Sequence, residues 1–230
     1  MASLLKRLDR RITAKLTRPP LERFLRAHAS GAFTLDLGSS VGFYATLFPR
    51  RVMLDIRPMP GVQVVGDAHA LCFRDAQFEQ VLCTEVLEHL CEPQRAIDEM
   101  MRVLEPGGVL LLTTRFLFPI HDAPGDFFRY TRFGLQHLLR KWEQVEITEE
   151  TDEVGTLAVL TQRIGIQTET LGWRPLRIGW HLLARMVKPW SFLVTARKGD
   201  SLGTPIAHRI MTSGYYVRAV KPTAVVTPGR

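Results

Sequence analysis

A short apolar run opens through small residues into a second apolar stretch at Leu35-Asp36-Leu37-Gly38-Ser39-Ser40-Val41-Gly42. Where a strand turns through such a loop into a helix, free backbone N–H groups can face an anionic group. Asp55 closes the next apolar run nineteen residues after Asp36, where a carboxylate can accept both hydroxyl hydrogens of a ribose. The pair points to a nucleoside-containing cofactor. The dinucleotide spacing GxGxxG fails, because its second and third glycines would fall on Ser40 and Phe43. The spacing GxGxG fits at Gly38 and Gly42, with Ser40 in the middle position.

A second chemistry lies in Glu85-Val86-Leu87-Glu88-His89. A helix through it would bring Glu85, Glu88 and His89 to one side, and two carboxylates with one imidazole could hold Mg2+ or Mn2+. Acids at a helix start are also favoured by the dipole alone. His121, in the loop after the fifth apolar run, is the candidate general base for a hydroxyl acceptor, or a further metal ligand. A capping or surface histidine is the plain alternative. Asp126, Arg129 and Tyr130 are weaker substrate candidates, and Arg129 can equally bridge to Asp126. His69 reads as a loop residue and Cys83 as core.

The elements that would position these groups alternate between strand and helix. Apolar runs at 33–37, 52–56, 62–65, 80–84 and 109–114 read as strands, with helices over 41–48 and 93–104. Pro106-Gly107-Gly108 ends the second helix. Thr131 caps a helix over 132–140, and strands follow at 145–148 and 215–220. Such alternation implies an α/β fold, a doubly wound, mostly parallel seven-stranded sheet. More than sixty residues separate the last two strands, so 151–213 is expected to be a helical insertion. Residues 1–30 read as a separate basic helical segment and 31–230 as the main domain.

Composition narrows the class. The 230 residues are 46% hydrophobic and 23% charged with 17 Gly and 14 Pro, which argues against disordered and collagen-like chains. Three cysteines without a CxxC pair leave no disulfide framework or Cys-rich zinc site, and a reducing cytoplasm is expected. The first twenty residues lack the apolar stretch of a secretory signal. The net charge of +7 is segregated as +6 over 1–30, −6 over 31–150 and +7 over 151–230. Leu4, Leu5, Leu8, Ile12 and Leu16 share a helical stripe flanked by Lys and Arg, as do Leu176, Trp180, Leu183 and Val187. Both stripes, with Trp173 and Trp190, either pack on the sheet or form interfacial helices on an anionic membrane.

Four motifs in order resemble those of the class I S-adenosylmethionine-dependent methyltransferases. They are Leu35 to Gly42 for hDhGxGxG, Gly66 to Phe73 for GDAxxLPF, Glu85 to Leu90 for hxxxEHh, and Arg102 to Gly108 for RhLxPGG. Ser40 and Cys72 depart from the usual glycine and proline. The resemblance implies a Rossmann-like fold and S-adenosylmethionine as cofactor. By it Gly38 to Gly42, including Ser39 and Ser40, would pass beneath the methionine portion and Asp55 would hold the ribose. Ile56 would cover the adenine, Asp67 with Ala68 would meet its edge, and Asp36 and Thr84 would complete the set. The Glu85-Glu88-His89 pattern resembles the metal-dependent members that methylate hydroxyls. The implied activity is methylation of a hydroxyl or amine on a small, lipid-linked or glycan-linked acceptor. RNA methylation is the rival enzyme reading, although no basic-aromatic nucleic-acid module stands in the sequence. A non-catalytic nucleoside-binding protein of the same fold is the third.

Overall fold

The computed structural model describes residues 12–38, 45–170, 172, 174–187, 189–190 and 208–223. They divide into two compact units. The first is drawn from Phe24–Phe116, Ile120–Thr148 and the chain from Tyr215, and the second from the chain up to Arg23, Leu117–Pro119 and Glu149–Gly214.

The first unit is built on the sheet. Its strands are β1 Thr34–Leu37, β2 Arg51–Asp55, β3 Val64–Val65, β4 Phe78–Thr84, β5 Leu104–Arg115, β6 Glu143–Glu149 and β7 Gly214–Val220. Their order is β3-β2-β1-β4-β5-β7-β6. The pairs β1 with β2, β1 with β4, β2 with β3 and β4 with β5 are all parallel. All four β1 residues and six of the seven in β4 are buried, as strands covered on both faces must be. The sequence order turns back between β1 and β4. In parallel sheets that reversal opens a crevice at the carboxyl ends of the strands, where ligands bind.

Helix α1 (Arg18–Ala27) precedes β1, and α2 (Pro93–Val103) joins β4 to β5. Proline at the α2 start fixes φ where its missing N–H is not needed, and Ala96, Ile97, Met100 and Val103 face the core. The core also takes Leu35, Leu37, Phe78, Val81, Leu110, Leu112 and Val217. Helix α3 (Arg132–Leu138) is capped as expected, the Thr131 hydroxyl accepting from Gly134 N at 3.1 Å.

Two local expectations change. Residues 45–47 form a turn, and the rest of the helix expected over 41–48 lies largely outside the described residues. Pro106-Gly107-Gly108 does not stand before the fifth strand but within it: β5 begins at Leu104. Its partner advances only from Phe78 to Gln80 while β5 advances from Leu104 to Val109, so the intervening residues bulge out. Gly107 takes φ +78° there, and its N–H and the Gly108 carbonyl bond to Lys221 O and N.

The second unit holds the insertion as two helices, α4 (Glu153–Thr170) and α5 (Arg174–Val187). Gln162 of α4 is buried and ties in the preceding chain: its Oε1 accepts from Leu16 N at 2.8 Å and its Nε2 donates to Ala14 O at 2.9 Å. Leu16 is buried with Ala158, Val159 and Ala184. Leu16, the last residue of the N-terminal stripe, is therefore held in a helical core, while Leu4, Leu5 and Leu8 lie outside the described residues.

Candidate active site

The candidate cofactor residues stand at the carboxyl ends of β1, β2 and β4. Gly38 follows β1 with φ +65°, and a Cβ there would sit 2.2 Å from Val86 Cγ2. Only glycine meets both conditions. The rest of that loop, Ser39, Ser40 and Gly42, lies outside the described residues. Asp55 ends β2, and its Oδ1 accepts from Arg57 N at 2.9 Å, which orients the carboxylate. Beside it the Ile56 side chain is 69% exposed. An oriented carboxylate next to bare apolar surface fits a nucleoside, with hydroxyls on one and a flat base on the other. Asp36 is placed differently: it is fully buried in β1, 3.7 Å from Arg51 Nε, and braces β1 against β2.

Asp67 accepts from His69 N at 2.9 Å and faces His69 Nδ1 at 2.6 Å. The hydrogen bond from the His69 backbone holds the Asp67 carboxyl below its usual range. His69 Nε2 accepts from Glu92 N at 3.2 Å, so this histidine is a loop fastener, as expected. Ala68 and Thr84 are buried.

The Glu85-to-His89 segment is not the helix that its spacing suggested. Glu85 has φ +57° and only a 3₁₀ turn, Leu87–His89, follows. The Glu85 carboxylate therefore swings to the buried guanidinium of Arg115, at the end of β5, and leaves Glu88 and His89. His121 takes its place. Glu88, His89 and His121 each offer a ligand atom, all within 4.8 Å of one another. His89 Nδ1 donates to Gly125 O at 2.7 Å, which leaves Nε2 with its lone pair, and the two imidazoles meet edge to face at 4.8 Å.

Glu88 is the unusual member. It is wholly buried, its Oε2 accepts from Thr114 Oγ1 at 2.8 Å, and its Oε1 has no hydrogen-bond partner. Burial pushes its carboxyl up from the usual range. A buried orphan oxygen destabilises a fold by about 1–3 kcal/mol. A cation shared with the two imidazoles would relieve that penalty, so the donor set fits a divalent ion.

His121 is held from behind. Its N–H donates to Asp126 Oδ2 at 2.9 Å and its Nδ1 lies 3.4 Å from the same oxygen. Arg129 grips both Asp126 oxygens, at 2.6 and 2.5 Å, and pushes the carboxyl down to about 2. The local Asp126–Arg129 bridge is thus present and serves His121. Tyr130 is buried, its hydroxyl donating to Leu87 O at 3.1 Å. Sequence reasoning missed Arg115 and Thr114; an arginine closing the apolar run Leu110-Leu111-Leu112 was the signal available for the first.

A methyltransferase domain family matches residues 35–112. That segment holds Gly38, Asp55, Asp67 and the Glu88–His89 turn. That segment, about a third of the chain, is similar to the methyltransferase domain whose four motifs the sequence carries in order. An uncharacterized methyltransferase of Mycobacterium sp. (strain KMS) is 36% identical over 97 residues, 36% of this chain and 38% of that protein. A sterol 24-C-methyltransferase of Aspergillus fumigatus is 27% identical over 171 residues, 70% of this chain and 44% of its own length. The chain thus spans less than half the length of these relatives. A Haemonchus contortus phosphoethanolamine N-methyltransferase, solved with S-adenosylmethionine, superposes with a TM-score of 0.52 at 15% identity, covering 90% of this chain and 52% of that one. At that identity the likeness shows the shared fold. The proteins similar to this chain are named for acceptors as different as a sterol and a tRNA.

Proposed function

We propose that this methyltransferase transfers a methyl group from S-adenosylmethionine to a hydroxyl, or an amine, of a small, lipid-linked or glycan-linked acceptor seated against Glu88, His89 and His121. The observation that carries this reading is the orphan Glu88 oxygen beside two imidazoles at the carboxyl ends of the central strands. The sulfonium methyl of the cofactor is already activated, so the chain must supply position and proton removal. Asp55 and Ile56 would hold the nucleoside, and the Gly38 turn keeps the backbone free of a side chain beside Val86. A divalent ion at Glu88, His89 and His121 would lower the pKa of an acceptor hydroxyl. One carboxylate and two imidazoles suit manganese better than magnesium, because imidazole is the softer donor.

A second reading rests on Asp126. Its carboxylate accepts from the His121 backbone N–H and lies 3.4 Å from Nδ1, and in the absence of an ion the imidazole so placed would serve as the base. The acidic balance of residues 31–150, 17 Asp and Glu against 11 Lys and Arg, repels a nucleic-acid backbone and disfavours RNA as acceptor. The likeness to a sterol methyltransferase supports an amphiphilic one.

The test uses methyl-tritiated S-adenosylmethionine with a membrane-lipid extract in one arm and bulk tRNA in the other. Label in the organic phase is expected, and label in tRNA alone overturns the acceptor class. Dialysis against a chelator should lower turnover at least tenfold, with recovery on MnCl2. Full turnover after metal removal replaces the ion with His121 as base.

A further inference from the structure

Helix α5 is turned inside out. Successive residues advance by about 100° around a helix, so Leu176, Leu182, Leu183 and Met186 fall within an arc of about 120°. These four are 43%, 44%, 43% and 67% exposed, and Trp190, just beyond the helix end, is 61% exposed. The opposite arc carries Arg177, His181 and Ala184, which are 7%, 1% and 0% exposed. Within the same unit Gln162 Nε2 lies 3.2 Å from His181 Nδ1, so the inward imidazole is engaged by α4. On helix α4 Leu157 and Ile164 are likewise exposed, and Thr156, Thr161 and Gln162 are buried beside Ala158 and Val159. In water an amphipathic helix does the reverse, and a contiguous apolar stripe on an outer face marks an interaction surface.

We propose that this stripe docks the chain on an anionic lipid surface. Charge selects that occupant. Residues 171–214 carry seven Lys and Arg against one Asp, six of them besides the inward Arg177. A second copy of the chain, packed face to face on the same patch, would set this excess against itself. An anionic headgroup layer complements it. Trp190 at the end of the stripe is the residue type that settles at headgroup depth. Among the described residues no helix is long and apolar enough to cross a bilayer, so α5 lies along the surface. The stripe differs from the one expected from sequence: Trp180 and Val187 are half-buried, while Leu182 and Met186 replace them outside.

Sedimentation with vesicles tests this without reference to turnover. The parent protein should pellet with phosphatidylglycerol–phosphatidylcholine vesicles at low salt and remain in solution with phosphatidylcholine alone. Salt should weaken binding, since charge attraction is screened within about 8 Å at physiological ionic strength. Leu183→Glu with Met186→Glu should cut the bound fraction at least tenfold; both residues are exposed, and an unchanged circular dichroism spectrum and S-adenosylmethionine affinity verify the fold. Equal binding by this variant overturns the proposal. So does a failure of the parent to pellet, or a dimer in analytical ultracentrifugation that the same variant dissolves.

Discussion

Gly38→Ala is the sharpest probe of how the site is assembled. Two separate penalties meet at this position. An L-residue at φ +65° costs about 1–2 kcal/mol. The added methyl would also lie 2.2 Å from Val86 Cγ2 and 3.5 Å from Cβ and Cγ1, and relieving such overpacking costs about 1–3 kcal/mol more. Valine is stiff at χ1, so rotation offers little escape. Val86 immediately precedes the 3₁₀ turn that carries Glu88 and His89, and the overlap pushes on that turn. The two penalties separate in a double-mutant cycle. Val86→Ala removes the overlap and leaves only the backbone penalty, so Gly38→Ala should cost about 2–5 kcal/mol in the parent and about 1–2 kcal/mol in the Val86→Ala background, a coupling of about 1–3 kcal/mol. Urea denaturation of the four proteins measures it. Additivity within about 0.5 kcal/mol would refute the close approach of β1 to the turn.

Three further outcomes are expected. Asp55→Ala should weaken S-adenosylmethionine by about 1.5–3 kcal/mol, a loss of roughly 10-fold to 150-fold by calorimetry, because the ribose hydroxyls lose a charged acceptor; unchanged affinity would remove Asp55 from the cofactor site. Arg102→Ala should destabilise the fold by about 2 kcal/mol, since Arg102 donates to Leu71 O and Phe73 O and pairs with Glu99 and Asp75, pinning the loop that begins at Asp67. The hydrogen bond from Arg102 holds Glu99 below its usual range, so that stabilisation is complete above the unfolded carboxyl value of about 4.3 and fades as pH falls through the lower folded value; urea midpoints between pH 5 and pH 2, an interval of about three units around those values, should fall more steeply in the parent than in Arg102→Ala.

The parallel strands were legible because apolar runs buried on both faces leave a strong trace, and Thr131 announced α3 by its cap. The place of Asp55 at the end of β2 followed from its place at the end of an apolar run. Metal-site geometry did not follow. The Glu85 spacing was read as helical, and one positive φ sends that side chain to Arg115 instead. His121 joins Glu88 through contacts thirty-odd residues apart, such as His89 to Gly125, and local periodicity carries no record of them. Helix α5 shows a different limit. A hydrophobic stripe can be counted in sequence, but its sign relative to solvent depends on what the polar arc meets, here Gln162 of another helix.

The main-chain oxygen of Glu88 accepts from Phe127 N at 2.9 Å and Phe128 N at 3.1 Å, while those two aromatic side chains stay 52% and 39% exposed. The loop is thus moored by its amides and displays its rings outward. Replacing either phenylalanine with any residue but proline keeps the mooring, so the surface this loop presents can diversify while the Glu88 backbone stays fixed. Saturation of these two positions is accordingly the place to look for altered acceptor range, in natural descent as in the laboratory.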